Sequence, residues 1–330
     1  MNELYPLRFT PQFFIKPWGA NNLSKIDALK GAPAEKCGEA WLLSGVEGKQ
    51  SIVSNGFLEG NELNELVEVY MEDLVGEPVF NEYGETFPIL IKLLDTTEWL
   101  SVQVHPDNEL AMKKHQVPFG KTEMWYILKA TDDAGLINGF KTKTDSRQIQ
   151  KAIENGTLTQ KINMVKPAPK DVYFTPAGKI HAVGPGLTLA EIQQTSDFTY
   201  RLFDWGRTDK DGNARELHIE NGLSALNYDD VSTGKTDPVR LGNTMDTLVN
   251  CSEFVTNRIT LKAAQTVRRE YITLDSFVIL LCVEGNAVYE WENKEEPLRM
   301  GECILIPAII DDLLISSKGG AEILEVFIQN

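Results

Sequence analysis

The 330-residue chain reads as a mainly β protein. Three observations predict that class. Short apolar stretches broken by Gly, Pro and Asn recur along its length, the punctuation of strands. Segments such as WLSVQVHP (99–106) alternate apolar and polar residues with the period of two that a strand imposes. Toward the end, FVILLCVE and AVYEWEN flank Gly285-Asn286, a two-residue hairpin signal, and ECILIPAII and EILEVFIQ follow as further strands.

Helices are expected at three places. From about Glu62 to Val75, Leu63, Leu66, Val67, Tyr70 and Leu74 fall on one helical face, with Asn61 placed to cap the start and Gly76 to end it. A short helix is expected after Asp107, in Asn108–His115. A third runs from about Ser146 to Asn155, where Asp145 and Gln148 have capping-box spacing and Gly156 follows. The expected organisation is a first domain over residues 1–225, a polar, turn-rich linker over 226–245, and a strand-rich C-terminal domain over 246–330. All four histidines (His105, His115, His181, His218) lie in the first part, so a His-based metal site must lie there too. Two similar barrels are compatible with this pattern.

The formal charge of −16 opposes nucleic acid or an anionic membrane as a partner. It leaves room for a small anionic substrate, because two or three local cations can hold a phosphate. The longest apolar run, Phe277–Val283, is far too short to span a bilayer, and the first residues lack the pattern of a secretion signal. Cys37, Cys251, Cys282 and Cys303 show no CxxC spacing and read as reduced thiols, so a cytoplasmic location is expected. Monomer and homodimer both remain open.

Three segments carry candidate chemistry. In 99–106, Ser101, Gln103 and His105 share one strand face, with side chains about 7 Å apart. In GKTEMWYIL (120–128), the same period groups Lys121, Glu123 and Trp125. In DVYFTPAGKIHAVGPG (171–186), Pro176 and Gly178 make a turn that delivers His181 into a new strand. Taken singly, a polar stripe faces solvent and a lone histidine is structural, although Trp125 disfavours full exposure of its stripe. Together they offer an amide oxygen, two imidazoles and a carboxylate, a donor set that suits Zn²⁺ or a similar ion. Lys92, in the apolar FPILIKLLD, and Arg201, four residues after Asp197 in SDFTYRLFDW, add cations beside Lys121 and point to an anionic substrate. His115 and His218 are assigned to structure, His115 as an exposed helix cap and His218 as packing between the two barrels.

These residues carry a family resemblance. FPILIKLLD…LSVQVHPDN, GKTEMWY and PAGKIHAVGPGLTLAEIQQTSDFTYRLFDW are similar to the type I mannose-6-phosphate isomerases, metal-dependent enzymes of the cupin superfamily. The resemblance extends from Trp18-Gly19 and GEAWLLSG (38–45) to RELHIE (215–220) and includes a second, C-terminal barrel. It implies two tandem jelly-roll barrels with a few short helices. It implies one zinc ion on Gln103, His105, Glu123 and His181, with Lys92 and Lys121 lining the site, Arg201 catalytic and Asp197 at the matching acidic position. The implied reaction interconverts mannose 6-phosphate and fructose 6-phosphate through a cis-enediolate. The chain looks like the family's compact bacterial form. A metal-bound water, Asp197 and a lysine all stand as the proton-transferring base. A non-catalytic sugar-binding cupin and another metal-dependent cupin enzyme are the competing readings.

Overall fold

The computed structural model describes residues 4–208 and 211–329. Strands account for 40% of it and helix for 17%, so the mainly β class holds. Among the described residues the strands form sheets of seven, five and ten strands. None closes on itself, so the structure has open sheets where barrels were expected.

Two sheets matter for the site. The seven-stranded sheet runs, in spatial order, Lys235–Thr236, Val172–Thr175, Glu123–Ala130, Leu187–Gln194, Ile89–Thr96, Gln12–Ala20 and Cys37–Leu43. The five-stranded sheet runs Tyr200–Phe203, Val102–Val104, His181–Val183, Leu136–Phe140 and Ile162–Val165. Their inner faces meet over an apolar cluster that includes Leu94, Trp125, Ile127, Leu136, Val183 and Leu189.

Both sheets are also covered on their outer faces, and this decides which way the polar residues point. Ile91, Leu93, Met124, Tyr126 and Ile192 face outward into a core shared with Leu66 and Val67 of the first helix and with Phe277, Ile279 and Leu281 of the C-terminal half. Val102, Val104, Ala182, Tyr200 and Leu202 face outward under the helices carrying Ile149 and Leu223. With apolar residues claimed by the outer layers, alternation turns the polar set inward.

The helices follow their capping residues. Leu63–Val75 is capped one residue later than expected: Glu62 and Glu65 form a reciprocal capping box, while the Asn61 amide binds the Leu58 carbonyl. Gly76, at φ 91°, ends it as expected. Asp107 caps Asn108–His115 and Asp145 caps Ser146–Glu154, each accepting a backbone N–H three residues on. Two further helices, Glu77–Tyr83 and Ile219–Ala225, are too short for periodicity to reveal.

The expected hairpin at Gly285-Asn286 is corrected. One strand runs through it from Val278 to Trp291, and the chain reverses at Glu292-Asn293, where φ is 49° and 59°. Positive φ at both central residues is the backbone of the favoured two-residue turn. Gly285, at φ 70°, lies beside the register shift at Cys282/Glu284. There the strand exchanges its partners Cys303–Ile306 and Ala321–Phe327 for Lys294–Arg299 and Asp312–Ser317.

Residues 226–245 contain two short strands: Lys235–Thr236 pairs with Val172–Thr175, and Val239–Arg240 with Met245–Asn250. Leu7–Arg8 pairs with Cys303–Ile306, so the start of the chain joins the C-terminal sheet. The four cysteines are free thiols, and no described helix is long and apolar enough to cross a membrane. A polar link also joins the halves. Tyr126 Oη donates to Glu322 at 2.9 Å, and Lys170 Nζ reaches the same carboxylate at 2.9 Å. Tyr126→Phe leaves that buried carboxylate short of a donor and should cost about 1–2 kcal/mol, read as a lower urea midpoint with unchanged slope.

Candidate active site

The strand register builds the site. Arg201, Gln103, His181 and Asn138 are successive partners across the five-stranded sheet. Trp41, Lys92, Glu191, Trp125 and Tyr173 are successive partners across the seven-stranded sheet. Directly paired residues share a face, so each set is a row of side chains, and the two rows face one another between the sheets. Glu123, two residues before Trp125, points the same way, as does His105, two residues after Gln103.

His105, Glu123 and His181 converge there. His105 Nε2 lies 3.5 Å from Glu123 Oε2, and His181 Nε2 lies 3.3 Å from Glu123 Oε1. One donor atom from each falls within 4.8 Å of the others, and each residue is 1% exposed. His105 Nδ1 stands 2.8 Å from the Phe198 carbonyl and His181 Nδ1 2.9 Å from that of Lys179. A carbonyl only accepts, so both Nδ1 atoms carry the proton and both Nε2 atoms keep a lone pair aimed at the gap. Burial, aided by the Lys121 charge, holds the His105 imidazole well below its ordinary pKa and takes His181 to about 3. Both are therefore neutral, the form that binds metal. Burial also pushes the Glu123 carboxyl up, against the pull of Lys121 at 3.1 Å. Glu123 Oε2 accepts no aligned hydrogen bond. Two lone pairs and an under-satisfied buried carboxylate fit a divalent cation.

Gln103 adjoins the triad with its amide nitrogen foremost, 3.2 Å from His181 Nε2 and 3.5 Å from His105 Nε2, while its Oε1 accepts from Ser101 Oγ at 3.1 Å. Turning the amide over would exchange the two atoms and aim the oxygen at the gap.

Gln103 and Lys121, which touch the triad, also line a cavity of about 270 Å³. Its lining carries five cations (Lys16, Lys92, Lys121, Arg201, Arg215) against three carboxylates (Glu39, Glu191, Asp197) among the described residues. Two cations lie deep: the Lys92 and Lys121 side chains are each 7% exposed. Lys16 and Arg215, at 34% and 37%, stand nearer the mouth. Lys92 donates to Glu191 at 3.0 Å and sits 4.9 Å above the Trp41 ring, and Trp125 Nε1 donates to the other Glu191 oxygen. Burial alone would push the Glu191 carboxyl up, but Lys92 and Lys121 overcome it and hold it at about 2. Burial likewise works against the Lys121 charge, but Glu123 and Glu191 outweigh it and raise its pKa.

Arg201 donates to the Glu216 carbonyl at 2.7 Å, while its Nε is buried with no partner. Asp197 is half-exposed and paired with Lys49 at 2.5 Å; burial pushes its carboxyl up, but Lys49 and Lys92 bring it below the ordinary range. It separates the cation-lined cavity from a larger one of about 650 Å³, whose wall carries Glu47, Glu62, Glu65, Glu68 and Glu85. That larger space is unsuited to an anion.

Two expectations change. His115 is not an exposed cap: it is half-buried, stacked on Phe198 and bonded to Tyr200. His218 does not pack between the halves: its Nδ1 accepts the Arg201 N–H at 3.2 Å, directly behind that side chain. Sequence reasoning also missed residues of the pocket. Glu191 had a signal, since it is the one charged residue in the strand Leu187–Gln194. Arg215 had none, because it enters from an irregular loop through its bonds to Asp204.

Fold and site together define a β-sheet protein with a buried site able to hold a divalent metal beside a cation-lined pocket. The model of the family "Phosphomannose isomerase type I, catalytic domain" matches residues 7–126. The mannose-6-phosphate isomerase ManA of Bacillus subtilis is 32% identical over 306 residues, 92% of this chain and 93% of that protein. The mannose-6-phosphate isomerase of Streptococcus mutans is 38% identical over 221 residues, 67% of each chain. The crystal structure of a mannose 6-phosphate isomerase from Bacillus subtilis superposes with a TM-score of 0.86 at 30% identity, covering 97% of this chain and 99% of that one. A structure from Archaeoglobus fulgidus shares the fold at 20% identity, with a TM-score of 0.79. The chain belongs to the type I mannose-6-phosphate isomerase family.

Two measurements test this electrostatic picture. Lys92→Met strands the Glu191 charge between the sheets and should cost about 3–5 kcal/mol in urea denaturation; adding Glu191→Leu should recover most of that loss. In metal-free protein both site imidazoles should stay neutral, by NMR, well below the pH at which an ordinary histidine protonates. Their depressed pKa values mean that the unfolded chain binds more protons, so metal-free stability should fall as pH drops from about 6.5 toward 3.

Proposed function

We propose that this chain interconverts mannose 6-phosphate and fructose 6-phosphate, using one zinc ion held by His105, Glu123, His181 and the Gln103 amide oxygen. The observation that carries the reading is the convergence of two imidazole lone pairs and an under-satisfied carboxylate next to a pocket in which five cations outnumber three carboxylates. Relatives named as mannose-6-phosphate isomerases supply the substrate.

When bound, the ion polarises the O1/O2 end of the open-chain sugar and orients it. The remaining roles fall to the chain's own residues. Arg201, the cross-strand neighbour of Gln103, has a buried Nε without a partner and faces the negative charge that develops on the cis-enediolate. Lys92 and Lys121 add to that field from the floor of the pocket. Lys121, its pKa raised, is a poor base, and Lys92 is tied to Glu191, so we assign proton transfer between C2 and C1 to Asp197, the ionised carboxylate at the rim. Arg215 and Lys16 take the phosphate at the mouth, where they are partly open to solvent and outside the lining of the acidic cavity. The C-terminal half, residues 246–330, serves as support for the sheet that carries Glu123.

Incubation with fructose 6-phosphate should yield mannose 6-phosphate; chelation should abolish the activity and Zn²⁺ restore it. Full activity in metal-free protein would sink the metal assignment. Asp197→Asn should lower kcat by about 10²–10⁴. Arg201→Ala should lower kcat by about 10²–10³ with little change in KM; a rise in KM alone would make Arg201 a binding residue instead.

A further inference from the structure

We propose that His115 is a positioning residue for the candidate metal site, acting on His105 through the Phe198 carbonyl; this rests on the reading of the triad given above. The orientation of the His105 ring depends on the bond from its Nδ1 to that carbonyl, 2.8 Å away. The carbonyl belongs to a stretch, residues 196–199, that has no helix or strand of its own. Its upstream end is tied down: Thr195 Oγ1 donates to the Phe87 carbonyl at 2.7 Å and Gln193 Nε2 to that of Ser196 at 2.8 Å. Apart from the bond to His105, the Phe198 backbone has a long contact, N to Ser196 Oγ at 3.4 Å, so its ring is its main handle.

That ring lies flat on His115, with centroids 4.1 Å apart and planes 15° from parallel. The imidazole is in turn pinned at its edge, Nε2 standing 2.7 Å from Tyr200 Oη. Tyr200 begins the strand that carries Arg201. His115 ends a helix whose cap, Asp107, is two residues from His105, and Gln116 at φ 59° stops that helix there. The same short helix therefore starts at the candidate ligand and returns to clamp the residue that orients it. A loose Phe198 peptide would free both the His105 ring and the neighbouring Asp197. Groups that support a metal ligand typically contribute 10–100-fold in affinity.

The test is competition for Zn²⁺ with a chromophoric chelator, alongside urea denaturation of the metal-free protein. His115→Ala should weaken zinc affinity about 10-fold. His115→Phe, which keeps the stacked face and loses the Tyr200 bond, should restore most of it. Phe198→Leu should weaken affinity as much as His115→Ala does, and the double variant no more than either alone, because both break one stack. A purely structural role predicts a lower urea midpoint with zinc affinity intact. Affinity within twofold of wild type in His115→Ala, or additive losses in the double variant, overturns the proposal. Should His115→Ala fail to fold, His115→Phe and Phe198→Leu still decide it, since unaltered affinity in Phe198→Leu has the same force. A wild-type protein that takes up no zinc overturns the reading of the triad as well, whereas a zinc-binding wild type with an indifferent His115→Ala overturns this inference alone.

Discussion

Charge buried between two sheets must be balanced where it stands, and the organisation of this molecule follows from that requirement. Lys92, Lys121, Glu123 and Glu191 are all nearly inaccessible to solvent, and each would be costly alone. Lys92 balances Glu191 through a hydrogen bond, with the Trp41 ring beneath the ammonium and Trp125 donating to the other carboxylate oxygen. Lys121 is drawn toward Glu123 but satisfies it incompletely. The deficit sits where two histidine lone pairs point. The need for a cation is thus built into the apolar packing around the site, because the layers that exclude water also remove the alternative of solvating Glu123.

The same packing explains what could be read from the sequence. Alternation along 99–106 and 120–128 identified the residues that share a face, and Gln103, His105, Lys121 and Glu123 do come together. Alternation cannot say which face is buried. That was decided by the outer layers, which claim Val102, Val104, Met124 and Tyr126, and those layers come from distant parts of the chain. Pairing across strands was equally invisible: Glu191 meets Lys92 because of sheet register, which no single segment encodes. Gly285-Asn286 misled for a related reason. A glycine with positive φ serves a bend within a strand as well as a turn between two, and only the partners on either side distinguish them. His115 looked like an exposed helix end because its stacking partner lies 83 positions further along the chain.

Local charge also reconciles a cation-rich pocket with a formal charge of −16. Screening at physiological salt confines exposed charges to about 8 Å, so the field inside a pocket is set by its own walls. Here the walls change sign at Asp197, with cations on the triad side and glutamates in the larger cavity beyond. The larger of these two openings is therefore not the one suited to a phosphorylated ligand. Lys16, Lys92, Lys121 and Arg215 are all paired with carboxylates, but an anion entering the pocket meets Lys16 and Arg215 first, because they are far more exposed than Lys92 and Lys121.

The C-terminal half has no histidine, yet it bears on the site mechanically. The strand Glu123–Ala130 presents Glu123 and Trp125 to the inner face and Met124 and Tyr126 to the outer one. The outer pair is held by the C-terminal half, Met124 through the shared apolar core and Tyr126 through Glu322. Neighbouring residues on a strand cannot move independently, so fixing Tyr126 limits how far Trp125 and Glu123 can shift toward the opposite sheet. His105 and His181 are fixed from the other side, by carbonyls and by the helices behind their sheet. A site made of residues from two facing sheets keeps its spacing only if each sheet is backed, and in this chain the second half provides one of those backings.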